Sequence, residues 1–288
     1  MLGLTKIVLV ACSVASVFGA VVVRDDDASA NVTAKNPVFT VPTLVQIRDI
    51  LAQLEAPIIS ALTERLNLPS NPALYANNGS ALLKYIKPRE ATANNLGRYA
   101  YGKLEYPFTF NAVKPDVTSK SNPFPPGRFH QDSYSGNPSL LSFYLNTLVP
   151  LFNASTGYFY HLDGSQVNDD ATLNLDATIL ALLSHRTSFG KIVAESKYAA
   201  DVSGFTPLIK AINTSQIRTL LTNTTQEAGV LAQAATAATA FSTAWVASGA
   251  AEPATFPTQL GNVAAKVFRE LIDTTTDIEV QYLLQRFN

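Results

Sequence analysis

Cysteine, methionine and tryptophan occur once each in this 288-residue chain, as Cys12, Met1 and Trp245, and histidine occurs three times. A single cysteine excludes a disulfide framework and a clustered Cys/His zinc site. Charge is scarce and balanced, with Lys+Arg 21 against Asp+Glu 22 and a net charge of -1. The chain therefore lacks the basic excess that nonspecific phosphate binding needs, which argues against nucleic acid as a partner. Gly-x-Ser-x-Gly, His-Glu-x-x-His, a Walker loop and Gly-x-Gly-x-x-Gly are all missing, and the standard hydrolase, zinc-protease and nucleotide-binding readings go with them. His130, His161 and His185 are scattered and read as ordinary polar residues, so no metal site is expected. What is present is apolar: 47% of the residues are hydrophobic and only 15% charged, which excludes a disordered chain and suffices for a large core.

The N-terminus reads Met1-Leu-Gly-Leu-Thr-Lys6, then an uncharged run from Ile7 to Phe18, then Gly19 and Ala20. This is the pattern of a secretory signal peptide over residues 1–19, and the run is shorter than the roughly 20 residues a membrane anchor needs. Cleavage would remove the lone cysteine and methionine and leave a secreted chain held together by its core, with no membrane segment. Asn31, Asn78, Asn153, Asn213 and Asn223 head Asn-x-Ser/Thr sequons that such a compartment permits to be glycosylated. Residues 20–40 carry Arg24-Asp-Asp-Asp27 without apolar periodicity and read as a flexible leader. The aspartates lack the spaced oxygen ligands and turn glycine of a calcium loop.

From residue 41 onward the pattern is that of one helical domain. Thr43-Leu-Val-Gln46 is a capping box, followed by Leu44, Ile47, Leu51, Leu54, Ile58 and Leu62 at helical spacing, which predicts a long helix ending before Pro69. A second helix is expected from Ser80 to about Tyr101. Residues 104–137, with Pro107, Pro115, Pro123, Pro125 and Pro126, read as an extended surface loop. Further helices are expected over 138–149, 171–200, 204–212, 215–221, 225–248 and 257–286. No sustained period-two pattern occurs, so the fold class is all-α, a multi-helix bundle. The uncharged run Ala228–Ala251 is long enough to span a bilayer, but its Ala, Thr, Ser and Gln content points instead to a central buried helix.

Polar residues on these helices recur at spacings that return to one face. Arg186 and Lys197 are eleven apart; at about 100° per residue they share a face, about 16 Å apart along a continuous helix, with room between them for a small anion. Asn223 and Glu227 are four apart, as are Thr275 and Glu279, and Arg48 and Glu55 are seven apart. Any one pair reads most simply as a surface salt bridge or solvated face. Together they suit a small, dianionic, oxygen-rich ligand held inside a helical bundle.

Three segments carry a resemblance: Ile47-Arg-Asp-Ile-Leu-Ala-Gln-Leu-Glu55, Phe189-Gly-Lys-Ile-Val-Ala-Glu-Ser-Lys197 and Glu279-Val-Gln-Tyr-Leu-Leu-Gln-Arg286. They resemble the helical chorismate mutases of fungal type, in the same order and spacing, over residues 41 to about 288; residues 104–170 match poorly. The resemblance implies an all-helical homodimer that converts chorismate to prephenate by a Claisen rearrangement without cofactor. Carried over by position, Arg48 and Arg186 look like carboxylate clamps, and Lys197 and a protonated Glu279 like donors to the ether oxygen. Glu227 resembles the residue that binds the ring hydroxyl, Asn223 and Thr275 those that support the carboxylates, and Glu55 one that orients the arginines.

Two features depart from the family pattern. At the effector site of its regulated members, the nearest counterparts here are Tyr99-Ala100-Tyr101, Asp170, Ala171 and Asn174, so control by tyrosine or tryptophan is not expected. The export signal places the chain outside the cell, like secreted relatives of plant-colonising fungi that draw on host chorismate, with passage into host cells and contact with host plant proteins as further steps. The alternative reading is a non-enzymatic secreted binding protein on the same fold, acting through the 104–137 loop. Asn223 is both a site residue and a sequon, and the site reading expects it buried and free of glycan.

Overall fold

The computed structural model describes residues 41–68, 71–99, 105–110, 130, 132–153, 169–249 and 256–287. The signal peptide, the leader, Asn31, Ala100, Tyr101, His161 and most of the 104–137 loop lie outside the described residues.

Every described regular element is helical. The order is α1 (Leu44–Leu66), a 3-10 turn (Pro72–Tyr75), α2 (Ala76–Asn95), α3 (Asn137–Phe143), a π turn (Tyr144–Leu148) and α4 (Val149–Asn153). There follow α5 (Asp169–Ser188), α6 (Gly190–Ala200), α7 (Val202–Lys210), α8 (Thr214–Leu221), α9 (Thr224–Ala247) and α10 (Phe256–Leu284). The capping box forms as expected: Gln46 N donates to Thr43 Oγ1 at 3.3 Å and Thr43 N donates to Gln46 Oε1 at 2.9 Å. Such a cap contributes about 1 kcal/mol.

Three expected helices have different bounds, and the one expected over 138–149 runs from Asn137 to Asn153 as α3, the π turn and α4. The first turn of α2 runs through left-handed Asn77 (φ 52°), Asn78 (φ 56°) and Gly79 (φ 73°), so regular helix begins at Ser80, and it stops at Asn95, ahead of left-handed Gly97 (φ 77°). The expected helix 171–200 is two helices, interrupted at Phe189. The described ends of the 104–137 loop are not a surface excursion: Asp132 and Pro107 are buried, and buried Asn137 donates to the carbonyls of Tyr106 (2.8 Å) and Pro107 (3.1 Å).

α9 is not a central buried helix. Its buried residues are Ala234, Ala238 and Ser242, a narrow stripe against α10 and α1 that leaves much of the surface of α9 exposed. Small side chains allow close approach along one line but cannot spread burial round the helix. On the exposed side Thr236, Thr239 and Thr243 turn their hydroxyls back onto carbonyls one turn earlier, at 2.8–3.0 Å. By length and composition α9 could cross a membrane.

Among the described residues the helices bury two apolar cores. One gathers Ile58, Leu62 and Leu66 of α1, Leu82 and Ile86 of α2, Ile179, Leu180 and Leu183 of α5, and α10 as far as Leu271. The other gathers Ile47 of α1, Phe189 and Ile192 to Ala194, Phe205, Ile217, and α10 from Val280. Asp176 pins the first core: it accepts from Arg65 Nε (2.6 Å), Tyr144 (2.5 Å) and Tyr75 (2.6 Å), and Arg65 Nη2 donates to Tyr75 at 2.7 Å. All four side chains belong to one hydrogen-bonded network, so the charges are paired and hydrogen-bonded, the condition under which burial is tolerated.

Candidate functional site

α1, the α5–α6 pair and α10 run through both cores, and each carries polar residues at the crossing. Glu55 lies between Ile47 and Ile58, Arg186 between Leu183 and Phe189, and Thr275 and Glu279 between Leu271 and Val280. The polar cluster therefore sits at the seam where the apolar cores meet. Gly190 sets the closeness of that seam, because a Cβ there would stand 2.9 Å from the Thr275 carbonyl oxygen and 3.2 Å from its Cγ2. α6 and α10 pack backbone to side chain at this point, which brings Lys197 onto α10.

Lys197 Nζ donates to Glu279 Oε2 at 2.8 Å and to the Leu221 carbonyl at 2.7 Å. Arg186 Nη2 donates to Glu55 Oε1 at 3.2 Å. Glu55, Arg186, Thr275 and Glu279 are buried, and Lys197 is partly so. Burial pushes the Glu279 carboxyl up to about 7 against the opposing pull of Lys197 and Arg186. Burial likewise raises Glu55, opposed by Arg186, and lowers Arg186, opposed chiefly by Glu55. Two buried donors in this cluster, Arg186 Nε and Thr275 Oγ1, have no hydrogen-bond partner among the described residues. A buried donor without an acceptor costs about 1–3 kcal/mol, and an oxygen-rich anion would satisfy both.

The structure thus brings together Glu55, Arg186, Lys197, Glu279 and Thr275. The helix carrying Arg186 and Lys197 is interrupted at Phe189 rather than continuous, and both cations act on Glu279. Arg48 is exposed on α1, two turns before Glu55 on the same side. Glu227 is half-buried and pairs with Arg269 of α10 at 3.3 Å. Asn223 is not buried as expected: it is exposed, and it is the N-cap of α9, accepting from Gln226 N at 3.0 Å. Capping keeps a residue at the helix mouth, where solvent reaches it, so burial gives its sequon no shield. Asn223 follows by two residues the carbonyl that holds Lys197.

Sequence reasoning missed a second polar group beside the first. Glu195 of α6, buried, accepts from Tyr282 of α10 at 2.6 Å and from Arg286, and His130 Nδ1 lies 3.6 Å from the same carboxylate. Its signal was a carboxylate on the otherwise apolar stripe Ile192, Ala194, Tyr198. Lys191, one turn earlier, is buried with Asp132 at 2.6 Å and Tyr106. Among the described residues no group of three or more His, Cys, Asp or Glu is arranged to hold a metal ion.

No protein-family model matches the chain. It is 29% identical over 256 residues to the chorismate mutase of Schizosaccharomyces pombe, covering 84% of this chain and 96% of that one. The fold is that of the helical chorismate mutases. The chloroplast chorismate mutase from Zea mays superposes with a TM-score of 0.62 at 24% identity, covering 86% of this chain and 96% of that one. The Aro7p chorismate mutase from Candida albicans, in complex with L-Trp, gives a TM-score of 0.62 at 23% identity, covering 85% and 91%.

Proposed function

We propose that the protein is a chorismate mutase that rearranges chorismate to prephenate. The observation that carries this reading is the seam cluster, in which a lysine, an arginine with an unpartnered Nε and a carboxyl titrating near 7 converge among buried residues. The rearrangement breaks the ether C–O bond as a C–C bond forms, within one molecule and with no covalent intermediate. The protein has to hold the substrate folded and stabilise the charge that grows on the ether oxygen. Lys197 Nζ and protonated Glu279 are neighbouring donors for that oxygen. Arg186 and Thr275 supply donors to one carboxylate, and Arg48 at the rim supplies the other clamp. Glu227 takes the ring hydroxyl and Asn223 supports the carboxylates. No step calls for a metal or cofactor. The test is prephenate formation by purified residues 20–288, together with its loss in Lys197→Ala.

The finer reading is a secreted homodimer that is not controlled by aromatic amino acids and acts as a virulence effector lowering host salicylate precursors. The 1–19 pattern supports export. The residues at the effector-site positions, Tyr99-Ala100-Tyr101, Asp170, Ala171 and Asn174, support loss of control. Since a structural relative binds L-Trp, turnover with and without L-Trp and L-Tyr decides the second point. Amino-terminal sequencing of protein recovered from culture medium decides the first.

A further inference from the structure

Two of the three segments that resemble the helical mutases contain polar residues that the reaction does not use. Glu195 lies in the α6 segment, and Tyr282 and Arg286 lie in the α10 segment. The structure joins them to each other. Tyr282 donates to Glu195 Oε1 at 2.6 Å, and Arg286 pairs with the same oxygen while its guanidinium stacks on Tyr198 at 3.9 Å. His130 Nε2 donates to the Tyr282 carbonyl at 2.7 Å and its ring stacks on Tyr282 with centroids 3.9 Å apart. Burial alone would raise the Glu195 carboxyl; hydrogen bonds from His130, Tyr282 and Arg286 outweigh it and hold it below the usual range. This is a built anion site on the α6–α10 contact, close to the Lys197–Glu279 pair.

Its place on the helix gives it a mechanical consequence. Residues advance about 100° around a helix, so Glu195 and Lys197 lie about 200° apart around α6, yet both reach α10. Gly190 meets Thr275 and Ile278, and counted from it Lys197 returns to within about 20° while Glu195 stands about 140° round the helix. Lys197 therefore lies nearly on the line of contact, and Glu195 grips α10 from one edge of it. A roll of α6 about its axis would carry Lys197 away from Glu279, and it would have to break the Glu195 contacts to do so.

We propose that Glu195 is a positioning residue for this reaction: by tying one edge of α6 to Tyr282 and Arg286 it blocks the roll that would separate Lys197 from Glu279. The role rests on the chorismate mutase reading. The charged groups around Glu279 are Lys197 from α6 and Arg186 from α5, with Glu55 of α1 behind Arg186; Asp277 of its own helix is engaged by Arg218 of α8. Lys197 and Arg186 pull the Glu279 titration down, so loosening Lys197 moves it up.

The experiment uses Glu195→Gln, and Arg286→Gln as a second variant nearer the surface that leaves the Tyr282–Glu195 hydrogen bond in place, with Arg286→Lys as the conservative rescue. Two readouts are taken: the alkaline limb of kcat/KM, and the Glu279 carboxyl titration followed by carbon NMR. The expected result is a kcat lowered about 10- to 100-fold, with limb and titration both moved up by about 0.5–1 pH unit. Arg286→Lys should recover most of both. A merely structural role would lower activity in proportion to the folded fraction and leave limb and titration unmoved, and that result overturns the proposal. If the wild-type protein does not turn over chorismate, the functional reading fails, and the NMR titration alone then upholds or overturns the positioning role.

Discussion

Lys197 Nζ and Glu279 Oε2 stand 2.8 Å apart across the α6–α10 contact, with Glu279 buried and Lys197 partly exposed. A lysine and a carboxyl pressed together would ordinarily form a plain ion pair. Here burial outweighs the lysine and leaves the carboxyl titrating near 7. This allows Glu279 to carry a proton at ordinary pH and to donate it in a hydrogen bond, which an ionised carboxylate cannot do.

The pH dependence follows in sign. Glu279 has a raised pKa, so its protonated form dominates below about 7 and is lost as pH rises through that value. kcat/KM, which reports the free enzyme, should fall on the alkaline side of about 7. A bound dianion raises the carboxyl further, so the limb in kcat should lie higher. Glu279→Gln keeps a donor at every pH, and its profile should be flat through this range; a limb at the same pH in that variant assigns the titration to another group.

Lys197→Ala removes one donor to the developing charge while leaving the apolar cores untouched. Turnover should drop by about 10²–10³-fold with helix content, read by circular dichroism, retained. Near-wild-type turnover would take Lys197 out of the site.

Gly190→Ala places a methyl 2.9 Å from the Thr275 carbonyl, so backbone must shift at the seam. Overpacking of this kind costs about 1–3 kcal/mol. The activity of the folded fraction should fall as well, since the same displacement moves Lys197 relative to Glu279. Urea unfolding and kcat measured on one preparation separate the two effects.

Asp176 holds the first core through Arg65, Tyr75 and Tyr144. Asp176→Ala leaves the Arg65 charge buried without its partner and should destabilise the fold by about 3–5 kcal/mol, read by urea denaturation. A loss below about 1 kcal/mol would mean that water or a neighbour takes over the guanidinium.

The helices were legible because their signals are local: Thr43 and Gln46 met as a capping box, and α7 through α10 fell within a few residues of the apolar periodicity. The structure pairs Glu55 with Arg186 and buries Thr275 and Glu279, residues that the resemblance singled out. Three things were not legible. The break at Phe189 falls where Gly190 of α6 meets Thr275 of α10, a tertiary contact. The exposure of α9 depends on how little its neighbours cover, which its own composition does not encode. Glu195 looked like one carboxylate among many until Tyr282 and Arg286, some ninety residues on, folded against it.

The disappearance of chorismate in the presence of purified residues 20–288 and excess EDTA tests the central claim most directly. Prephenate should form at a rate far above the buffer reaction and unaffected by the chelator. Folded protein that leaves chorismate at the buffer rate would contradict the account.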